Sequence, residues 1–211
     1  AQWGNAFMRF GLRRGDRIPF FLDDTPAYPA AFFGAVRAGL VPVLLNTQTN
    51  AETLAYFLAD TEARLVLCEA DLRGAFYDDI VAASAVEKII IVNGGANAPD
   101  QVEADEFLHG MPTDLDCADT DAGDMAFWMY SSGTTGRPKG IVHLHHDMAY
   151  TQHSYGQHVL GVRADDVCLS IPKIYFAYGF GNSLTFPFSV GGTTVLLPGR
   201  PKPAAIFEAI S

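Results

Sequence analysis

Residues 130–140 read Tyr-Ser-Ser-Gly-Thr-Thr-Gly-Arg-Pro-Lys-Gly, with three glycines, four Ser/Thr hydroxyls and one lysine in eleven positions. A loop of this composition offers backbone N–H groups and hydroxyls to anionic oxygens. Gly133, Gly136 and Gly140 let the backbone come close to a ligand, with positive φ where a turn demands it. Lys139 adds a movable cation. The chemistry these residues suggest is the gripping of phosphate. It is not the Walker arrangement, which ends in Gly-Lys-Ser/Thr and opens a helix; here Pro138 precedes Lys139, and Gly140 leads into Ile141-Val142. An ordinary polar hairpin loop would account for Ser-Ser-Gly alone, but the full string is far more specific.

A second stretch, Ser170-Ile171-Pro172-Lys173-Ile174-Tyr175-Phe176-Ala177-Tyr178-Gly179-Phe180-Gly181-Asn182, is dense in aromatic rings and carries two glycines. It suits a pocket wall where rings and backbone approach a small ligand; a core helix start with ordinary aromatic packing is the plainer reading. His143, His145 and His146 invite a metal site, with His143 and His145 on one face of a strand. No cysteine or carboxylate stands at a familiar ligand spacing from them, so packing or pocket lining is the better account. The acidic run Asp114, Asp116, Asp119, Asp121 and Asp124 lacks the glycine and terminal glutamate of a calcium loop and reads as a solvated connection. No protein metal site is therefore expected.

These groups need elements to hold them. Met125–Tyr130 is continuously apolar and reads as a buried strand entering the loop, and Ile141–His145 as the strand leaving it. Upstream, helical and strand patterns alternate. A helix around Trp3, Ala6, Phe7 and Phe10 precedes a strand over 17–22, which Pro19 weakens or places at a sheet edge. A helix over 29–38 and a strand over 41–45 follow. Then come a turn over 46–50, a helix over 51–60, a strand over 64–68, a helix over 72–83 and a strand over 88–92. Residues 93–124 are turn-forming and acidic. Asp147 is the expected N-cap of a helix reaching about Leu160; His153 and His158 lie on it, at the surface or at an interface between subunits. Short strands alternating with helices predict an α/β fold, mainly parallel sheets flanked by helices.

Composition narrows the partners. A net charge of −10 excludes non-specific nucleic-acid binding, and no apolar run approaches the length of a membrane span. With 49% hydrophobic and 18% charged residues, the chain has the make-up of a soluble domain. Cys68, Cys117 and Cys168 are odd in number and widely spaced, so neither a disulfide framework nor a metal knuckle is expected. No signal peptide is legible, and a cytoplasmic location is expected.

The loop string resembles the phosphate-binding signature of the adenylate-forming superfamily, the acyl-CoA synthetases and other AMP-dependent ligases. That pattern is a Ser/Thr/Gly run followed by Gly-x-Pro-Lys-Gly, matched here at every fixed position. The resemblance implies that Ser131, Ser132, Gly133, Thr134, Thr135, Gly136 and Lys139 meet the phosphates of ATP, with Lys139 supporting catalysis. It implies attack of a carboxylate on the α-phosphate, giving an acyl-adenylate and pyrophosphate, then transfer of the acyl group to coenzyme A, with Mg2+ as metal cofactor. Lys173 to Asn182 resembles the acyl-pocket segment of the benzoate–CoA ligase branch, and the downstream Thr185 to Thr194 also resembles that branch. Carried over, that resemblance makes Ala177, Tyr178 and Gly179 the wall for a small aromatic carboxylic acid, benzoate first and a hydroxy- or aminobenzoate next. Alternatives are a cinnamate-like or medium-chain acid as substrate, or a non-catalytic nucleotide-binding module.

The resemblance covers almost the whole chain but leaves the family's later motifs unmatched. Residues 1–211 are therefore expected to be an incomplete N-terminal AMP-binding domain, inactive alone. The adenine, ribose and magnesium contacts and the small C-terminal domain are not found in it. A homo-oligomer is compatible with this reading.

Overall fold

The computed structural model describes residues 1–76, 78–131 and 136–211, without the side chain of Asp78. Along the chain run α1 (Gln2–Phe10), β1 (Arg17–Phe21), α2 (Ala27–Arg37), β2 (Val41–Leu44), α3 (Ala51–Thr61), β3 (Leu65–Glu69), α4 (Asp78–Ala82) and β4 (Lys88–Val92). There follow β5 (Gln101–Glu103), α5 (Ala104–Leu108), β6 (Met125–Ser131), β7 (Lys139–Leu144), α6 (His145–Thr151) and β8 (Val167–Leu169). The last elements are α7 (Ala177–Phe180), α8 (Phe186–Val190), β9 (Thr193–Val195) and α9 (Pro203–Ile210).

The main sheet has the order β5-β4-β3-β1-β2-β6-β7. Every neighbouring pair in it is parallel except the β6–β7 hairpin. β8 and β9 form a second, parallel pair. The expected α/β architecture is the one observed.

Both faces of the sheet are covered, which is why its strands read as unbroken apolar runs. On one face Ile18, Phe20, Leu67 and Ile90 meet Phe7, Phe32 and Phe180 from α1, α2 and α7. On the other Phe21, Val43, Val66 and Ile89 meet Leu54, Phe57 and Leu58 of α3 and Ile80 of α4. Residues alternate between these faces along each strand, as the strand period of two requires.

Several local expectations are corrected. Pro19 lies in a central strand, not at an edge. Val41 N–H donates to Asp16 O at 2.9 Å and Leu45 N–H to Phe20 O at 3.1 Å, so the even-numbered residues of this segment face β2. Pro19 therefore turns its missing donor towards β3, whose pairing begins only at Phe20. The helix expected over 72–83 is instead a 3-10 turn, Ala70–Ala75, followed by the short α4. The segment 93–124 carries β5 and α5, too short for periodicity to reveal. The helix starting at α6 changes to a π-turn at Gln152–Gln157 and ends there.

Candidate active site

In an open α/β sheet, ligands bind beyond the carboxyl ends of the parallel strands. β6 runs parallel to β2, so the loop after Ser131 leaves from that edge. Its root is fixed to α3: the Tyr130 ring lies 4.1 Å from that of Phe57, and its hydroxyl donates to Asp60 Oδ2 at 2.6 Å. Burial, with Asp60 alongside, pushes the Tyr130 phenol up, so it stays a donor.

Ser131 pairs with Lys139 across the hairpin, and both are exposed. Gly136 has φ +151°, a conformation that favours glycine. Ser132, Gly133, Thr134 and Thr135 lie outside the described residues. A second cation that the sequence reading did not single out, Arg137, sits 5.4 Å over the ring of Tyr56 on α3.

A cavity of about 130 Å³ lies between the β6–β7 hairpin, α6 and the helical segment from α7 to α8. Phe127, Met129, His143, Ala177, Phe180 and Phe186 are among the side chains around it. Phe127 is the central ring, stacked on His143 at 4.6 Å and 10° and 4.6 Å from Phe180. The His143 imidazole is 3.3 Å from Asp147 Oδ2 through Nδ1. His143 and His145 do not share a strand face, because His145 already begins α6. Asp147 is not the N-cap but stands three residues inside, where its carboxylate accepts from Leu144 N–H at 3.1 Å. Among the described residues, no cluster of three or more His, Cys, Asp or Glu is placed to hold a metal ion.

The three residues matched to an acid pocket occupy different places. Ala177 lines the cavity. Tyr178 is 64% exposed and is not part of the lining. Gly179 is buried, and a Cβ there would fall 2.0 Å from Lys173 O and 2.4 Å from Pro172 O. It is glycine because α7 starts directly against two carbonyls. Phe127, Met129 and Phe186 were not singled out from sequence; the period of two along β6 was the available signal for the first two.

A buried polar hub holds α7 in place. Lys173, only 6% exposed, donates to Asp23 Oδ1 at 2.7 Å and to Leu197 O at 2.5 Å, with Asp24 Oδ2 at 3.8 Å. Ile174 N–H donates to Asp24 Oδ1 at 3.2 Å, and Gly199 N–H donates to Asp23. Burial raises Asp24 to about 6, against the pull of Lys173 and the Ile174 N–H. Burial also acts to raise Asp23, but the hydrogen bonds from Lys173 and Gly199 outweigh it and hold that carboxyl low. A lysine inside Ile-Pro-Lys-Ile-Tyr-Phe was a signal of this hub that sequence reading passed over.

Comparison with known proteins adds four findings. The family model described as "AMP-binding enzyme" matches residues 1–211. The benzoate–CoA ligase of Thauera aromatica is 37% identical over 200 residues, 95% of this chain and 37% of that protein. The 4-hydroxybenzoate–CoA/benzoate–CoA ligase of Rhodopseudomonas palustris is 38% identical over 214 residues, covering 100% of this chain and 38% of that protein. Among solved structures, the anthranilate CoA ligase AuaEII in complex with anthranoyl-AMP superposes with a TM-score of 0.93 at 31% identity. That match covers 98% of this chain and 40% of the other. The chain thus spans about two-fifths of the length of the proteins it matches.

Proposed function

The chain belongs to the AMP-binding enzyme family, and on that premise we propose that it carries the phosphate loop and acid pocket of an AMP-forming aryl-acid–CoA ligase. Residues 1–211 are on this reading part of the large N-terminal domain. The observation that carries the proposal is a single strand. β6 lines the cavity with Phe127 and Met129 and, two residues later, becomes Ser131 at the mouth of the loop. At roughly 3.3 Å per residue, Met129 and Ser131 are about 7 Å apart. An acid seated against Phe127 is therefore held close to phosphates gripped by the loop, as adenylation requires.

The parts of the site divide the work. Ser131, Ser132, Gly133, Thr134, Thr135 and Gly136 supply donors to the ATP phosphates, and Lys139 supplies a cation beside them. Ala177 leaves room for the ring. The carboxylate attacks the α-phosphate, pyrophosphate leaves, and the thiol of coenzyme A then displaces AMP. Mg2+ neutralises phosphate charge in such reactions; no residue of this chain is assigned to it. A cytoplasmic location is consistent with ATP and coenzyme A as co-substrates.

Cavity size favours a ring over a long tail. An apolar cavity of about 150 Å³ takes up one benzene molecule, close to the size observed. The lining of Phe127, Phe180 and Phe186 adds ring-on-ring contacts that contribute roughly 0.5–1.5 kcal/mol each beyond burial. A second reading, a hydroxy- or aminobenzoate, is favoured by His143. With Nδ1 directed to Asp147, Nε2 has no partner among the described residues and is available to a polar ring substituent.

Acid-dependent ATP–pyrophosphate exchange by the full-length protein tests both. Benzoate and its hydroxy and amino derivatives should support exchange far better than octanoate. A preference for octanoate would sink the aryl-acid assignment. Loss of hydroxybenzoate preference in His143→Phe would select the second reading.

A further inference from the structure

Among the described residues, Phe186 is the one cavity side chain whose ring is held on two sides by glycines from separate helical segments. A Cβ on Gly156 would stand 3.0 Å from its Cδ1 and 3.1 Å from its Cγ; a Cβ on Gly181 would stand 2.6 Å from both Cε2 and Cζ. Opposite edges of the ring thus rest against bare backbone, and the residue is 9% exposed.

Each glycine sits in a π-turn, Gly156 within Gln152–Gln157 and Gly181 at the start of Gly181–Thr185. In a regular α-helix, residues five apart point about 140° away from each other. The wider turn closes an i to i+5 bond, here Phe186 N–H to Gly181 O, and so brings position 181 against ring 186. Two departures from regular helix therefore serve the placement of one ring. That ring lines the same cavity as Phe127 and Ala177.

We propose that Phe186, clamped between Gly156 and Gly181, is the gauge that sets the size of acid the cavity admits, a specificity-determining position apart from the Ala177 to Gly179 segment. The inference rests on the cavity being the acid pocket, and it deepens that reading. Shortening the ring enlarges the cavity. Adding a methyl at Gly181 both occupies lining space and drives the ring from its seat. The two changes must move substrate preference in opposite directions, which a general loss of stability does not produce.

The test uses the full-length protein with benzoate, 4-methylbenzoate and 2-naphthoate, reading kcat/KM for each acid with KM for ATP as the internal reference. Phe186→Leu should raise the naphthoate-to-benzoate ratio, and Gly181→Ala should lower the methylbenzoate-to-benzoate ratio. Each shift should be on the order of tenfold, the usual effect of a few carbon atoms in an apolar pocket. Should Phe186→Leu not fold, Gly181→Ala and Gly156→Ala carry the test through the second ratio. Ratios unmoved in variants that still turn over benzoate would overturn the gauge and leave the aryl-acid reading standing. If the wild type prefers aliphatic acids, the aryl-acid reading falls, and the same ratio across aliphatic acids of increasing length decides the role of Phe186.

Discussion

Lys173 and Asp23, 150 residues apart in the chain, meet at 2.7 Å beneath the surface. The pair joins the end of β1 to the segment that opens into α7. Asp24 accepts the next backbone N–H, from Ile174, so two adjacent carboxylates hold two adjacent residues. The carbonyl of Lys173 is in turn the surface on which Gly179 packs. The cavity wall is positioned through this chain of contacts.

Lys173→Met should therefore be costly in two ways. It strands Asp23 and Asp24 without their cation, and breaking one side of a buried pair costs about 3–5 kcal/mol. Urea denaturation reads that loss. Because α7 is anchored through Lys173, KM for the acid should also rise in the full-length protein by more than KM for ATP. A loss below about 1 kcal/mol, the range of an exposed ion pair, would show that the hub does not bear on stability.

Asp24 gives the hub a pH signature. Its folded pKa of about 6 lies above its ordinary 3.8, so between these values the folded state keeps a proton that the unfolded chain has released. Stability should then fall as pH rises through this window and level off above it. Asp24 contributes at most about 3 kcal/mol at 1.36 kcal/mol per unit. Glu69, also raised by burial, contributes with the same sign. Asp24→Asn keeps an acceptor for Ile174 N–H and should remove most of the fall. Urea midpoints measured across that range for wild type and variant check this; parallel curves would contradict it.

Ala177→Phe should fill the cavity. The expected result is a raised KM for benzoate with KM for ATP little changed, because a change confined to the acid pocket removes binding of the acid alone. An unaltered acid preference would mean that the acid binds elsewhere.

On the proposed reading, Lys139→Ala removes a cation beside the phosphates while leaving the loop backbone intact. Pyrophosphate exchange should slow and need more ATP without stopping, since one such electrostatic group contributes a few kcal/mol to the transition state. Exchange with an unchanged ATP dependence would remove Lys139 from the phosphate site.

Much of the fold was legible because parallel strands covered on both faces leave unbroken apolar runs, as in Ile89–Val92. Legibility failed where the local signal was short or misleading. Pro19 pointed to an edge, yet its missing donor faces a stretch where the neighbouring strand has not begun to pair. Gly74 and the 3-10 turn broke a segment whose composition was helical. At the candidate site, the glycine-rich string and Ala177 stood out as motifs. The hub did not, because Asp23, Asp24 and Lys173 come together only through tertiary contacts. Phe186 was equally silent, since nothing in a sequence announces a π-turn.

The central claim is that this chain belongs to an enzyme that makes an aryl-CoA through an adenylate. The most direct measurement incubates the full-length protein with ATP, benzoate and coenzyme A and quantifies AMP and benzoyl-CoA, with residues 1–211 alone in parallel. The account predicts AMP and benzoyl-CoA in equal amounts from the full-length protein and no turnover from residues 1–211. ADP in place of AMP, or no acyl-CoA from any aryl acid, would contradict it.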